Sequence, residues 1–375
     1  MDGFNKKEGK MEKRKVFPSL VSICPVLIVL GLLSMAACIE PALAQTQTKD
    51  TIVWKLNSAW ANNTDRHVRL EQTCESIYQR SNGRLKIVVY PSFSLGFKIP
   101  TWFRDHKDGL IDISDMFIRY TGGEEPSFNV TEANMWKSKE QQMRAVEAMS
   151  EFKKKVYKEV WNSELIATGG IPTRMGAFFT RTKQLKSLAD MKGMKIRVLD
   201  IRTKDLIDKF GAAAQFMPMT ELYLALKQGV IDGFDSGFGV IYQIKLHEVS
   251  KYAVSYGLGV PNQDDIVISA KVWNPLPDDL KKIVRDEWDK WAGSLKYLSF
   301  TGITGGPEGD KDKELCEKAG MITSELSEAD KGMIREITLK LQMDWVKSTG
   351  GRTVEAWEII KPYLREDERL RPLLK

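Results

Sequence analysis

Apolar and polar positions alternate or recur at helical spacing along most of the chain. TIVWKL (Thr51–Leu56) reads as a strand. Leu70, Cys74, Ile77 and Tyr78 then follow helical spacing, and Asn82-Gly83 ends that helix. RLKIVVY is a second strand closed by Pro91. SLGFKIPTWFRDHKDGLIDIS gives a turn, a helix and a short strand around Ile111 to Ser114. From Lys139 to Trp161 the spacing predicts one long amphipathic helix, with Val146, Met149, Val156 and Val160 on its apolar face and its charges on a solvated one. Strand–helix–strand–helix–strand is the order of a sheet with helical crossovers.

The second half repeats that order. Lys192-Gly193 reads as a turn and Ile196 and Val198 as a strand, which leaves Arg197 where a plain buried strand would carry an apolar residue. TKDLIDKFGA is a helix ending at Gly211, and AAQFMPM is an extended piece broken by Pro218. TELYLALKQG has Thr220 as N-cap, an apolar face of Leu222, Ala225 and Leu226, and Gly229 as its stop. VIDGFDSG is a strand running into a Gly-rich loop. Leu280, Val284, Trp288, Trp291, Leu295 and Leu298 then form one stripe, about 28 Å of helix, long enough to reach across two lobes. Its tryptophans read as packing rather than a cofactor box.

The first 44 residues are a targeting segment and stand outside the fold. Lys6, Lys7, Lys10, Lys13, Arg14 and Lys15 make a positive region, VSICPVLIVLGLLSMAA is the apolar core, and ALAQ places cleavage after Ala44. Lipoprotein processing at Cys38 and an uncleaved anchor are the alternatives, and all three imply export. The 375 residues exceed one ordinary core, so two α/β lobes are expected. Hydrophobic content of 42%, charged content of 28% and a net charge of +6 fit a globular chain without the basic stripe of a nucleic-acid binder. Past the leader only Cys74 and Cys316 remain. Cys74 occupies an apolar helical position and reads as a buried free thiol. Three histidines in unrelated contexts, with no CxxC and no HExxH, give no metal site.

SLADMKGMKIRV followed by FGAAAQFMPMTELYLALKQGVIDGFDSG resembles the solute-binding proteins of tripartite ATP-independent periplasmic (TRAP) transporters, the DctP-like family. SNGRLKIVVYPSFSLG and KDGLIDIS match that pattern in order and spacing, so the resemblance runs from about Ile52 to Glu325. It implies an α/β, two-lobed periplasmic-binding-protein fold with a central cleft, hinge strands and a long helix spanning both lobes. The implied division is residues 45–171 in lobe I and 172–261 in lobe II, then 262–301 as the lobe I return with the spanning helix. Residues 302–375 return to lobe II and supply the C-terminal helices.

By this resemblance Arg197 forms the main salt bridge to a ligand carboxylate. A guanidinium offers two parallel donors and stays charged in a dry cleft. The structural alternative is a surface arginine paired with Asp190 or Asp200. A second arginine is implied upstream, Arg174 in PTRMGAFF in preference to Arg181 in FFTRTK. Ser236 stands where the family pattern has an asparagine that contacts ligand, Phe234 replaces a glutamine, and Met219 takes a cleft-lining place. Trp60, Phe97, Phe117, Met219 and Phe234 together imply an apolar monocarboxylate, aromatic acids included, rather than a sugar acid. Glu221 and Asp232 read as structural. No cofactor is expected. The implied partners are a small carboxylate and TRAP membrane permease subunits, with the chain periplasmic and monomeric. A sensor-feeding module is an alternative, and an exported hydrolase a weaker one, since no GxSxG surrounds Ser236 and no GxGxxG occurs.

Overall fold

A computed structural model describes residues 51–374, apart from 63, 98–100, 172–174, 199–200, 218, 260 and 302–310. In the first half β1 (Ile52–Ser58), α1 (Asp65–Arg80), β2 (Leu85–Tyr90), α2 (Trp102–Lys107) and β3 (Ile113–Phe117) follow the predicted order. The Thr64 hydroxyl caps α1 by accepting from the His67 N–H. Asn82 and Gly83, both at positive φ, end the turn that follows it. Leu70, Cys74 and Ile77 are buried beneath α1, as their spacing requires.

The predicted 139–161 helix is instead two, α3 (Lys139–Ala148) and α4 (Ser150–Trp161). At Met149 the N–H bonds to Val146 O, three residues back, so the regular ladder is interrupted there. Its lysines are not all solvated either. Lys153 is 1% exposed, and its Nζ donates to Asp265 Oδ1 at 2.7 Å. Next come β4 (Ser163–Ile171), β5 (Met175–Thr180), β6 (Lys195–Val198), α5 (Ile201–Lys209) and β7 (Ala213–Phe216). They are followed by α6 (Leu222–Gln228), β8 (Gly233–Gly237), α7 (Phe238–Gln243) and β9 (Tyr252–Leu258). Thr220 lies inside a 3-10 turn, Met219–Glu221, and Glu221 takes the N-cap place of α6 without a side-chain bond. β8 runs straight into α7 rather than into a loop.

The chain then forms β10 (Asn262–Ser269), α8 (Ala270–Trp273), α9 (Asp278–Thr301), α10 (Lys311–Lys318), β11 (Ile322–Glu325), α11 (Glu328–Thr349) and α12 (Arg352–Leu364). Two sheets result. The first has strand order β2-β1-β3-β10-β4 and the second β11-β9-β5-β8-β6-β7. The α9 stripe, Leu280 to Leu295, packs with α1 on one face of the first sheet. Gly169 of β4 is needed there, because an added Cβ would meet Leu295 and Trp291 at under 3 Å. The helix that reaches both cores through described side chains is α11. Its Ile334 joins the core of the second sheet, while Leu339 and Val346 join that of the first. α12 packs on the first lobe, where Arg352 Nη2 donates to the buried Glu125 at 2.7 Å. Cys74 and Cys316 are buried in different cores and are not joined in a disulfide.

Candidate ligand-binding site

Strand directions decide which ends of the sheets can meet. β1, β2, β3 and β4 all run one way, with β10 opposed. In the second sheet β6, β7, β8, β9 and β11 run together and β5 is opposed. The chain leaves the C-terminal end of β4 at Ile171 and enters β5 at Met175. It returns from β9 at Leu258 to β10 at Asn262. These two short crossings bring the C-terminal ends of the parallel strands of both lobes to one crevice, the usual ligand position in open α/β sheets.

Arg197 lies at that end of the second sheet. Ser187 and Asp190 form a capping box ahead of it, with Asp190 Oδ2 accepting from the N–H of Ser187 at 2.9 Å; Gly193, at φ 78, then turns the chain into β6. Asp190 is thereby engaged in a turn, and Asp200, the other partner named for Arg197, lies outside the described residues. Arg197 is 1% exposed and its Nε donates to Met217 O at 2.8 Å. In register it stands beside Phe234 of β8 and so shares that face of the sheet. Ser236, two residues further along β8 on the same face, is half-buried; strand spacings put its Cα about 8 Å from that of Arg197.

Phe234 is corrected by the structure. It is fully buried and stacked on Phe179 at 5.1 Å, so it belongs to the core beneath Arg197 and not to a ligand wall. Met219 is half-buried and packs on the edge of the same core. Arg174 lies outside the described residues. Arg181 follows the Thr180 end of the opposed strand β5, at the edge away from the crevice, and its guanidinium lies over Gly229 at the end of α6. Asp232 is structural as expected, with its carboxylate accepting from Lys195 N at 2.8 Å.

Trp60, Phe117 and Phe97 come from the first lobe. Trp60 and Phe117, just past β1 and at the end of β3, meet edge to face at 5.4 Å. Phe97 packs partly against the other core, its carbonyl accepting from Asn57 Nδ2 at 3.3 Å. Sequence reasoning missed Arg66, whose guanidinium carbon is 4.3 Å from the Trp60 ring centre and whose Nη1 pairs with Asp264. It also missed Asp115, a fully buried carboxyl beside Trp60. Burial pushes Asp115 up to about 7, although the Ser58 hydroxyl and the Ala59 N–H favour its charged form. The signal available was position alone, the second residue of α1 for Arg66 and two residues before the end of β3 for Asp115.

Within the second sheet the Tyr256 hydroxyl donates to Asp235 Oδ1 at 2.6 Å, and Arg119 and Asn134 of the first lobe favour the ionised phenol. Burial, then the charge of Asp235, raises the Tyr256 pKa well above the ordinary range. A separate cavity of about 460 Å³ lies between α3, α4, β4 and α9. It contains neither Arg197 nor Trp60. Among the described residues no helix is long and apolar enough to cross a membrane.

Two α/β lobes joined by short crossings, with an arginine buried at their facing ends, define a binding-protein architecture. The model of the bacterial extracellular solute-binding proteins, family 7 (DctP), matches residues 56–344, and the chain belongs to that family. A solute-binding protein of Albidiferax ferrireducens is 25% identical over 231 residues, 58% of this chain and 64% of that protein; the chain thus spans just under two thirds of that relative's length. A TRAP periplasmic solute-binding protein from Desulfovibrio salexigens, solved with bound orotic acid, superposes with a TM-score of 0.67 at 23% identity, over 86% of this chain and 99% of that one. The Bordetella pertussis receptor DctP6, which binds pyroglutamic acid, gives 0.71 at 19% identity over 84% and 100%.

Proposed function

We propose that the chain is the extracytoplasmic solute-binding subunit of a TRAP transporter, which captures an organic acid by hinge closure and delivers it to a membrane permease. The observation that carries this reading is Arg197, a cation placed with almost no solvent exposure at the crevice end of β6. A buried guanidinium is retained at a cost in desolvation, and a bidentate carboxylate is the partner that repays it best. The relatives that bind orotic and pyroglutamic acids support the same ligand chemistry. The topology supports hinge closure. The two crossings are three residues each, and a carboxylate held by Arg197 in one lobe and touched by the first-lobe wall would favour the closed state. Ser236, Trp60, Phe117 and Arg174 complete the proposed site, with Met219 and Phe97 at its margins. Export by the leader, with cleavage after Ala44, places the subunit in the periplasm, working as a monomer. No catalytic step is assigned to it.

Thermal-shift screening of the exported chain against organic acids tests the proposal. An acid that binds the native state raises the melting temperature by mass action. Stabilisation of the wild type and not of Arg197→Ala supports it; a ligand-free folded protein indifferent to every acid refutes it.

A further inference from the structure

Given the carboxylate reading above, the first-lobe wall defines the kind of acid. Arg66 stands in the first turn of α1, its Nη1 bonded to Asp264, a carboxylate with no exposure, while its own side chain is 16% exposed. The guanidinium carbon lies 4.3 Å from the Trp60 ring centre and 6.0 Å from that of Phe117. Phe117 in turn meets Tyr120, an exposed ring, at 4.9 Å and 84°.

Two properties follow. The charge of Arg66 is already matched by Asp264, so a second ligand carboxylate at this wall would meet two charges that cancel, together with repulsion from a buried anion. The same guanidinium lies over one face of the Trp60 ring and holds its plane. Trp60 is half-buried, with its Nε1 enclosed and Phe117 against it edge to face, so only the part of the ring that these neighbours leave uncovered is a preformed aromatic surface, offered at little entropic cost. Such a surface favours a flat ring over a puckered one of equal volume, because only the flat ring brings all its atoms into contact and can adopt offset or edge-to-face geometry.

We infer that the protein selects monocarboxylates built on a planar, unsaturated ring, with Trp60 as the specificity-determining residue and Arg66 as the positioning residue that orients it. Titration calorimetry of the full chain, exported and purified from the periplasm, tests this with three planar acids (benzoate, nicotinate and 2-furoate), with cyclohexanecarboxylate as the puckered counterpart of benzoate, and with succinate. The best planar acid binds about tenfold tighter than cyclohexanecarboxylate, and succinate binds weakest. Trp60→Ala brings the benzoate-to-cyclohexanecarboxylate ratio close to one, and Trp60→Phe retains most of it. Arg66→Lys, which keeps a charge for Asp264 but not the stacked plane, lowers the ratio; a merely structural role would weaken all acids alike. If succinate or cyclohexanecarboxylate binds as tightly as the planar acids, the inference is overturned while the carboxylate reading stands. If no acid binds, both fall.

Discussion

Lys153 and Asp265 form an ion pair with 1% and 0% side-chain exposure, 112 residues apart in sequence, on α4 and β10. Asp265 also accepts from the Tyr157 hydroxyl at 2.9 Å and from Thr168 Oγ1 at 2.8 Å, and Gln263, two residues nearer the crossing, is bonded to Thr131 and Glu132. The network thus fixes the first turns of the strand on which the chain re-enters the first lobe. Lys153→Met keeps most of the buried volume and removes the cation. Breaking a buried pair from one side costs about 3–5 kcal/mol. The two hydroxyl donors left on Asp265 hold the expected loss near the lower figure, about 3 kcal/mol. A folded chain of this size unfolds with an entropy of about 0.7 kcal/mol/K, so the melting temperature should fall by about 4 °C. The double variant Lys153→Met, Asp265→Leu should recover most of that loss, because no uncompensated charge is left behind. Differential scanning calorimetry of the four proteins of this cycle is the assay. A fall below 1 °C in the single variant, or strict additivity in the double, would refute the reasoning.

Two further predictions concern the crevice edge and the second sheet. Asp115, with a folded pKa of about 7 against an ordinary value of 3.8, binds its proton more tightly when folded, so its contribution to stability is full below pH 4 and is lost as pH rises to 7. Across that window it removes up to about 4 kcal/mol. Asp115→Asn should flatten the fall, as read from urea midpoints at pH 4.5 and 7.5; an unchanged slope would contradict the assignment. Gly233→Ala would drive its Cβ into the Phe179 carbonyl oxygen of the paired strand. That backbone contact cannot relax by a rotamer change, so a loss of about 3 kcal/mol is expected in the urea midpoint at unchanged slope.

The alternation of strands and helices was legible because each element carries its own period and stop, as at Thr64, Asn82-Gly83 and Gly229. Arg197 was legible because a charge inside an apolar strand is conspicuous, and a family motif surrounds it. The faces of β8 were not. Phe234 and Ser236 share one face, but only their depth along the strand separates a core ring from a crevice position, and that depth is set by Phe179 on a strand some fifty residues earlier. Nor could spacing show that Lys153 leaves the solvated face of its helix, because its partner arrives from β10. Arg66 was invisible for the same reason, since Asp264 lies 198 residues away. The break at Met149 carries neither proline nor glycine, so no local breaker announced it.

The central claim is that Arg197 holds the ligand's carboxylate. Its most direct test is the affinity of the wild type, Arg197→Lys and Arg197→Ala for whichever acid stabilises the wild type most, by titration calorimetry, with each variant first shown to be folded. Loss of a charge-assisted bidentate contact of about 3 kcal/mol predicts at least about a hundredfold weaker binding for alanine and an intermediate loss for lysine, which keeps the charge but not the fork. Binding by the alanine variant within threefold of the wild type would contradict the account.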